Sequence, residues 1–293
     1  MGSKLTLHLQ QCPSWVRPWL ERSGQKVIKW IDPPAGQHPF PGLKDVQIVG
    51  RTFEDDQISN ARIWLGVVGA HEWMERWRRF YDERRYVAWW EFTNEPQPMR
   101  NPEFRHRLSD FTRELVRLFR KEGLRGIGFN WSVGWPDVGH VKDFASGLRA
   151  LAEAGFLLGV HEYGAPYMNV AGEGGKRWWT LRVRNTIAEM REHGIPVPGI
   201  WVGECGIDLG AWTPENPEPR PTKGWRDVKA DPEWYLHDNL IWYDQELQRL
   251  EQELGVPVLG AAVFTTGAYP PWEGFDVDEG LAMRMADYIA GRR

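Results

Sequence analysis

Trp89-Trp90-Glu91-Phe92-Thr93-Asn94-Glu95-Pro96 sets bulky aromatic residues and one acid in a short β-favouring run, then breaks it on a polar turn. A helix follows at once. Phe104, Leu108, Phe111, Leu115 and Leu118 recur at three- and four-residue steps, which gives one apolar face over Pro102–Glu122. Asn101 is placed to cap it, Pro102 sits at the first helical position, and Gly123 stands where a helix C-cap belongs. The unit is therefore strand, loop, helix.

The same unit recurs along the chain without any repeat in the residues themselves. The β-rich runs are Lys4–Gln10, Lys26–Ile31, Val46–Arg51, Tyr86–Phe92, Gly126–Trp131, Phe156–Tyr163, Ile200–Gly206 and Leu259–Thr265. Helical patterning is clear over Glu72–Arg84, Pro102–Glu122, Arg184–His193 and Tyr235–Leu254, with Gly255 placed to end the last. It is weaker over Ser14–Arg22, Phe144–Ala154 and Gly280–Ala290. The link Pro33–Lys44 is rich in Pro and Gly and has room for a short helix at most. Strands alternating with helices specify a parallel α/β sheet, and eight alternations point to one closed (β/α)8 TIM barrel over residues 1–293 rather than an open sheet. No Gly-rich phosphate loop follows the first strand, which argues against dinucleotide binding.

Composition narrows the function. The 293 residues are 42% hydrophobic and 26% charged, with a formal net charge of −4, so there is no basic field for nucleic acid. No apolar run reaches the length of a membrane span. The N-terminus lacks the apolar core of a signal peptide, and Met1-Gly2-Ser3 could be a cloning remnant; secretion is then expected if a native signal was removed, and a cytoplasmic location otherwise. A monomer is expected. The two cysteines, Cys12 and Cys205, form neither a metal-ligand spacing nor a disulfide framework. The 18 Trp divide between core packing and platforms on which the C–H face of a sugar could stack.

In a barrel, active-site groups come from the C-terminal ends of strands and the loops that follow. Glu95 ends the fourth strand and Glu204 the seventh, in Trp201-Val202-Gly203-Glu204-Cys205-Gly206. Two carboxylates facing each other across a cleft are what cleavage of a glycosidic bond requires. The sixth strand ends His161-Glu162-Tyr163, the third at Arg51, and the fifth at Asn130-Trp131.

Here the chain resembles a known group. Asn94-Glu95-Pro96 is similar to the Asn-Glu-Pro signature of clan A glycoside hydrolases, Gly203-Glu204-Cys205-Gly206 to the nucleophile strand of family 5, and His161-x-Tyr163 to that family's strand-six pair. The resemblance spans the whole barrel in order and spacing. It implies a retaining β-glycosidase, with no cofactor and no metal. Glu95 would be the acid/base, kept protonated by burial and by the second carboxylate. Glu204 would be the nucleophile. Asn94 would bond the sugar 2-hydroxyl, Tyr163 would orient Glu204, His161 would lie beside substrate hydroxyls, and Arg51 would hold Glu204 ionised. Asn130, Trp131 and Trp272 are further candidates for the cleft.

The chain also departs from the pattern. Thr93 stands where an aromatic residue is common, and strand eight ends Phe264-Thr265-Thr266 without a Trp, Trp272 coming only later. An oligo- or polysaccharide of neutral β-linked sugars is the expected partner. Two other readings are a carbohydrate-binding barrel that has lost its chemistry and a barrel hydrolase or lyase of another class. The second of these would want several His or Asp at strand ends, and there is no His-Glu-x-x-His. Three structural expectations complete the picture. Glu91 should pair with a barrel arginine. Trp201, by alternation with Glu204, should face a helix. The Pro-rich stretch Asp208–Asp231 should lie over the barrel mouth.

Overall fold

The computed structural model describes residues 2–43, 45–170 and 179–292. Its eight strands close into a parallel barrel in chain order: β1 (Leu5–Leu9), β2 (Val27–Ile31), β3 (Gln47–Arg51), β4 (Trp89–Glu91), β5 (Gly126–Trp131), β6 (Leu157–Gly164), β7 (Gly199–Ile207) and β8 (Val258–Thr266). Each expected strand is present, and the fold is the (β/α)8 TIM barrel. No helix of the described residues is long and apolar enough to cross a membrane.

The helical shell follows from amphipathic faces and caps. Helix α4 (Pro102–Lys121) is capped by Asn101, whose side chain accepts from the N–H groups of Glu103 and Phe104. It buries Phe104, Leu108, Phe111 and Leu115 against the barrel. Gly123 takes φ +67°, the left-handed turn that ends the helix. Helices α1 (Val16–Ser23), α5 (Ala145–Ala154), α6 (Val183–Glu192), α8 (Ile241–Leu254) and α9 (Glu279–Ala290) match the weaker and stronger patterns alike. Two differences stand out. The expected helix after β3 is two helices, α2 (Asp56–Trp64) and α3 (Val67–Asp82), broken at Gly66. The stretch after β7 is not a plain loop: it contains the short helix α7 (Trp225–Lys229), whose Trp225 stacks flat on Tyr235 at 4.8 Å. Between β2 and β3 the described residues hold turns and no helix; Lys44, at the end of that link, and Met1 lie outside the described residues.

Inside the barrel, Val27, Val49, Trp89, Ile127, Leu157, Trp201 and Ala262 form one apolar layer, each from a different strand. Trp201 thus faces the lumen, contrary to simple alternation. In the pairing of β6 with β7, Val160 faces Val202 while His161 faces Glu204, so Gly203 is an extra residue. That bulge lets Trp201 and Glu204 both point inward while Val202 and Cys205 pack toward the helices. Gly is required at the bulge, because a Cβ there would lie 2.6 Å from Glu91 Oε1 and 3.1 Å from His161 Nε2.

Candidate active site

Above the apolar layer the lumen turns polar. Lys29 on β2 and Glu91 on β4 are both fully buried, with Lys29 Nζ 2.9 Å from Glu91 Oε2. The same ammonium donates to the carbonyl of Gly203 at 2.9 Å and to Glu204 Oε1 at 3.3 Å. The Lys29 nitrogen thus makes two hydrogen bonds and an ion pair with Glu91. Glu91 Oε1 accepts from Trp201 Nε1 at 2.7 Å. The expected partner of Glu91 was an arginine; the structure supplies Lys29 and Trp201. Burial alone would raise the Glu91 carboxyl, but Lys29, Arg51 and His161 outweigh it and hold the group below its ordinary value.

Glu204 sits on this polar floor, 7% exposed. Its Oε1 is 2.8 Å from Arg51 Nη1 and 3.4 Å from His8 Nε2, and its Oε2 accepts from the Tyr163 hydroxyl at 2.9 Å. Burial raises the carboxyl of Glu204, yet His161, Lys29, the hydrogen bond from His8 and Arg51 together bring it well below the usual carboxylate range. Around it, Lys29 and Arg51 are set against Glu91 and Glu204. Burial and Lys29 push the His8 imidazole down to about 4, so it faces Glu204 as a neutral ring.

Glu95 stands at the edge of the floor, its side chain 35% exposed, so its burial is partial. His161 Nδ1 lies 2.8 Å from Glu95 Oε1 and 3.6 Å from Glu204 Oε2. One oxygen of each carboxylate and this ring nitrogen fall within 4.8 Å of one another. His161 therefore lies under the two acids with no exposed side-chain surface, not out beside substrate hydroxyls. Asn94 accepts from Arg51 Nη1 through Oδ1, which ties the residue before Glu95 to the cation that holds Glu204.

The backbone at Glu95 is in the left-handed region, φ +38°. Asn130 holds it there from behind: its carbonyl accepts from the N–H of Glu95 at 3.2 Å and its Nδ2 donates to the Thr93 carbonyl at 2.8 Å. Asn130 is fully buried and does not line the cleft. Nor does Trp131, 1% exposed, which stacks on Phe129 at 4.8 Å and packs against Phe144 under the helices. The cause is a register shift in β5 between Gly128 and Trp131, where Phe129 and Asn130 take φ of +72° and +43° and turn the strand end outward. Glu162 is likewise no ligand of a site. It is fully buried behind β6, where it accepts from the N–H groups of Leu181 and Val183 and from Tyr243 and so anchors the start of α6.

The cavity above the acids measures about 790 Å³ and is lined by Arg51, Asn94, Glu95, Tyr163, Glu204 and Trp272 among the expected residues. Trp272 packs edge-on to Phe264 at 5.6 Å, so strand eight presents Phe264 backed by Trp272 to the cavity. From the Pro-rich stretch only Asp208 reaches this cavity. Its carboxyl, accepting from the N–H of Gly210 at 2.7 Å, is pushed up to about 6 by burial and by the nearby Glu95 and Glu204. Lys29, His8 and Asp208 escaped the sequence reading. A lone lysine inside the apolar run Val27–Ile31 was the signal for the first, since a buried ammonium must find carboxylates.

The sequence matches no family model and no curated protein. Among solved structures, the endo-1,4-β-D-mannanase of Thermotoga petrophila RKU-1 is similar with a TM-score of 0.53 and 12% identity, covering 99% of each chain. An endo-β-1,3-glucanase of group GH128 from Amycolatopsis mediterranei, in complex with laminaripentaose, gives 0.50 at 17% identity over 97% of this chain and 99% of that one. The pollen β-1,3-glucanase CJP38 of Cryptomeria japonica gives 0.51 at 11% identity over 94% and 95%. The likeness is one of fold, and these neighbours are glycoside hydrolases.

Proposed function

We propose that the protein is a retaining glycoside hydrolase acting on β-linked oligo- or polysaccharides, of the clan A type, with Glu95 as acid/base and Glu204 as nucleophile. The observation that carries this is the pair of carboxylates at one cavity, with oxygens within 4.8 Å and one of the two held ionised. Retaining enzymes keep their carboxyl groups about 5–5.5 Å apart, whereas inversion needs room for a water and about 6.5–9.5 Å.

Glu204 attacks the anomeric carbon while Glu95 gives its proton to the departing glycosidic oxygen. The glycosyl ester on Glu204 is then opened by water, which Glu95 deprotonates. Tyr163, Arg51 and His8 fix both oxygens of the nucleophile before substrate arrives, so little reorganisation is left for the reaction itself. Asn94 accepts from Arg51 through Oδ1 and its amide also bonds Asp56, which leaves one amide N–H for donation to a 2-hydroxyl.

Two rival readings are weaker. A barrel that only binds sugar has no need of an acid pair set this closely. A metal held by Glu95, His161 and Glu204 would meet Arg51 and Lys29, 2.8 and 3.3 Å from the same carboxylate, and would be repelled by both. Wild type, Glu95→Ala and Glu204→Ala should be assayed on a panel of neutral polysaccharides and aryl β-glycosides. Both variants should lose nearly all activity, with azide rescuing each and giving products of opposite anomeric form. Normal turnover by Glu204→Ala would sink the proposal.

A further inference from the structure

Phe53 and Tyr269 are 68% and 54% exposed, yet both line the cavity that holds Glu95 and Glu204. Large aromatic rings left in water are a cost unless something covers them. Their backbones are pinned. The N–H of Phe53, just past β3, donates to Asp32 Oδ1 at 2.9 Å, which ties the loop after β2 to the loop after β3. The N–H of Tyr269, just past β8, donates to Gln10 Oε1 at 2.9 Å, tying the loop after β8 to the end of β1. Tyr269 also receives the N–H of Trp272 on its carbonyl at 2.8 Å. Each ring thus stands on a braced loop with its side chain free.

The cavity reaches these rings in one direction. Besides the acids and their partners it is lined by Gln10, Trp30 and Asp32 from the ends of β1 and β2, and by the loop after β8. No residue of β5 lines it. The cleft therefore runs from the acid pair toward the β8, β1, β2 and β3 side, with Phe53 and Tyr269 along it. Among the described residues that line it, Arg51 is the one cation, and Glu204 and Asn94 already engage it. The other charged lining groups, Asp32, Asp55, Asp56 and Asp208 among them, are acids. Such walls repel uronate or sulfated chains and accept hydroxyl-rich, uncharged ones.

We propose that Phe53 and Tyr269 are two sugar-stacking platforms that extend the catalytic cleft along this side and bind the non-reacting part of an uncharged β-linked glycan chain. This rests on the glycosidase reading given above. Binding energy gathered on such remote units aligns the scissile bond over Glu95 and Glu204, so it raises kcat/KM on long chains more than on short ones.

The test compares Phe53→Ala, Tyr269→Ala and the double variant with wild type on the hexasaccharide and the disaccharide of whichever neutral β-glucan, mannan or xylan the wild type cleaves. The ratio of the two kcat/KM values cancels changes in the chemistry common to both substrates. It should fall about three- to tenfold for each platform removed, the range expected for one aromatic stacking contact. Phe53→Trp and Tyr269→Trp should keep the ratio, since any large flat ring serves. A ratio unchanged in all three alanine variants overturns the proposal. Gel retardation of wild type and the double variant in the same soluble polysaccharides separates the two levels of inference. Retardation lost in the double variant supports the platforms even if no chain is hydrolysed, in which case the catalytic reading alone fails. Equal retardation of wild type and double variant contradicts the platforms.

Discussion

Replacing Lys29 by Met removes the ammonium beneath Glu204 and keeps much of the side-chain volume. At 3.3 Å and an effective dielectric of about 20, the attraction between Lys29 and Glu204 is about 5 kcal/mol. Part of that charge is spent on Glu91 at 2.9 Å, and the share that acts on the nucleophile helps hold the Glu204 carboxyl low, so the carboxyl rises when Lys29 goes. Glu204 must be ionised to attack, so the acidic limb of the kcat/KM profile should move to higher pH. The single variant also strands Glu91, fully buried, at a cost of about 3–5 kcal/mol. Lys29→Met with Glu91→Gln avoids this, because Gln still offers an oxygen to Trp201 Nε1. The double variant should recover much of the lost stability in a urea melt and move the limb less than Lys29→Met alone, because Glu91→Gln also removes a negative charge from beside Glu204. The reasoning is refuted if Lys29→Met is folded at the assay temperature and its acidic limb coincides with that of wild type.

Gly203→Ala forces a methyl to within 2.6 Å of Glu91 Oε1 and should cost about 1–3 kcal/mol in denaturant unfolding, together with most of the activity. Tyr163→Phe deletes the 2.9 Å bond to Glu204 Oε2; a hydrogen bond to a charged group is worth about 1.5–3 kcal/mol, so kcat/KM should drop about 10- to 150-fold with little change in melting temperature. Asp208 has a folded value near 6, above its unfolded value of 3.8, so its ionisation opposes folding above pH 6 and has no effect below pH 3.8. Asp208→Asn should therefore stabilise the protein at pH 8, by about 1–2 kcal/mol, and leave it unchanged at pH 3.5, as read by thermal melts at the two pH values.

The barrel was legible because its signal is distributed. Eight apolar runs and the caps around them, such as Asn101 on α4, each point the same way, and no single residue decides the count. The two acids at strand ends four and seven were legible for the same reason. What escaped depends on single-residue breaks in strand parity. Gly203 adds a residue to β7, and so Trp201 faces the lumen with Glu204. Phe129 and Asn130 turn left-handed in β5, and so Asn130 braces Glu95 from behind while Trp131 joins the helical shell. Period-2 alternation carries no information about where a bulge falls. Lys29 was hidden differently: its partners Glu91 and Glu204 lie 62 and 175 residues away in sequence, and only barrel closure brings them together.

The central claim is that Glu204 forms a covalent bond to the sugar. Incubation with a 2-deoxy-2-fluoro-β-glycosyl fluoride of the preferred sugar traps such an ester, and mass spectrometry of the peptic digest locates it. The account predicts one added fluoroglycosyl unit on the peptide that contains Glu204, absent from the Glu204→Ala protein. Label on Glu95, or hydrolysis of a natural glycan with inversion at the anomeric carbon, would contradict it.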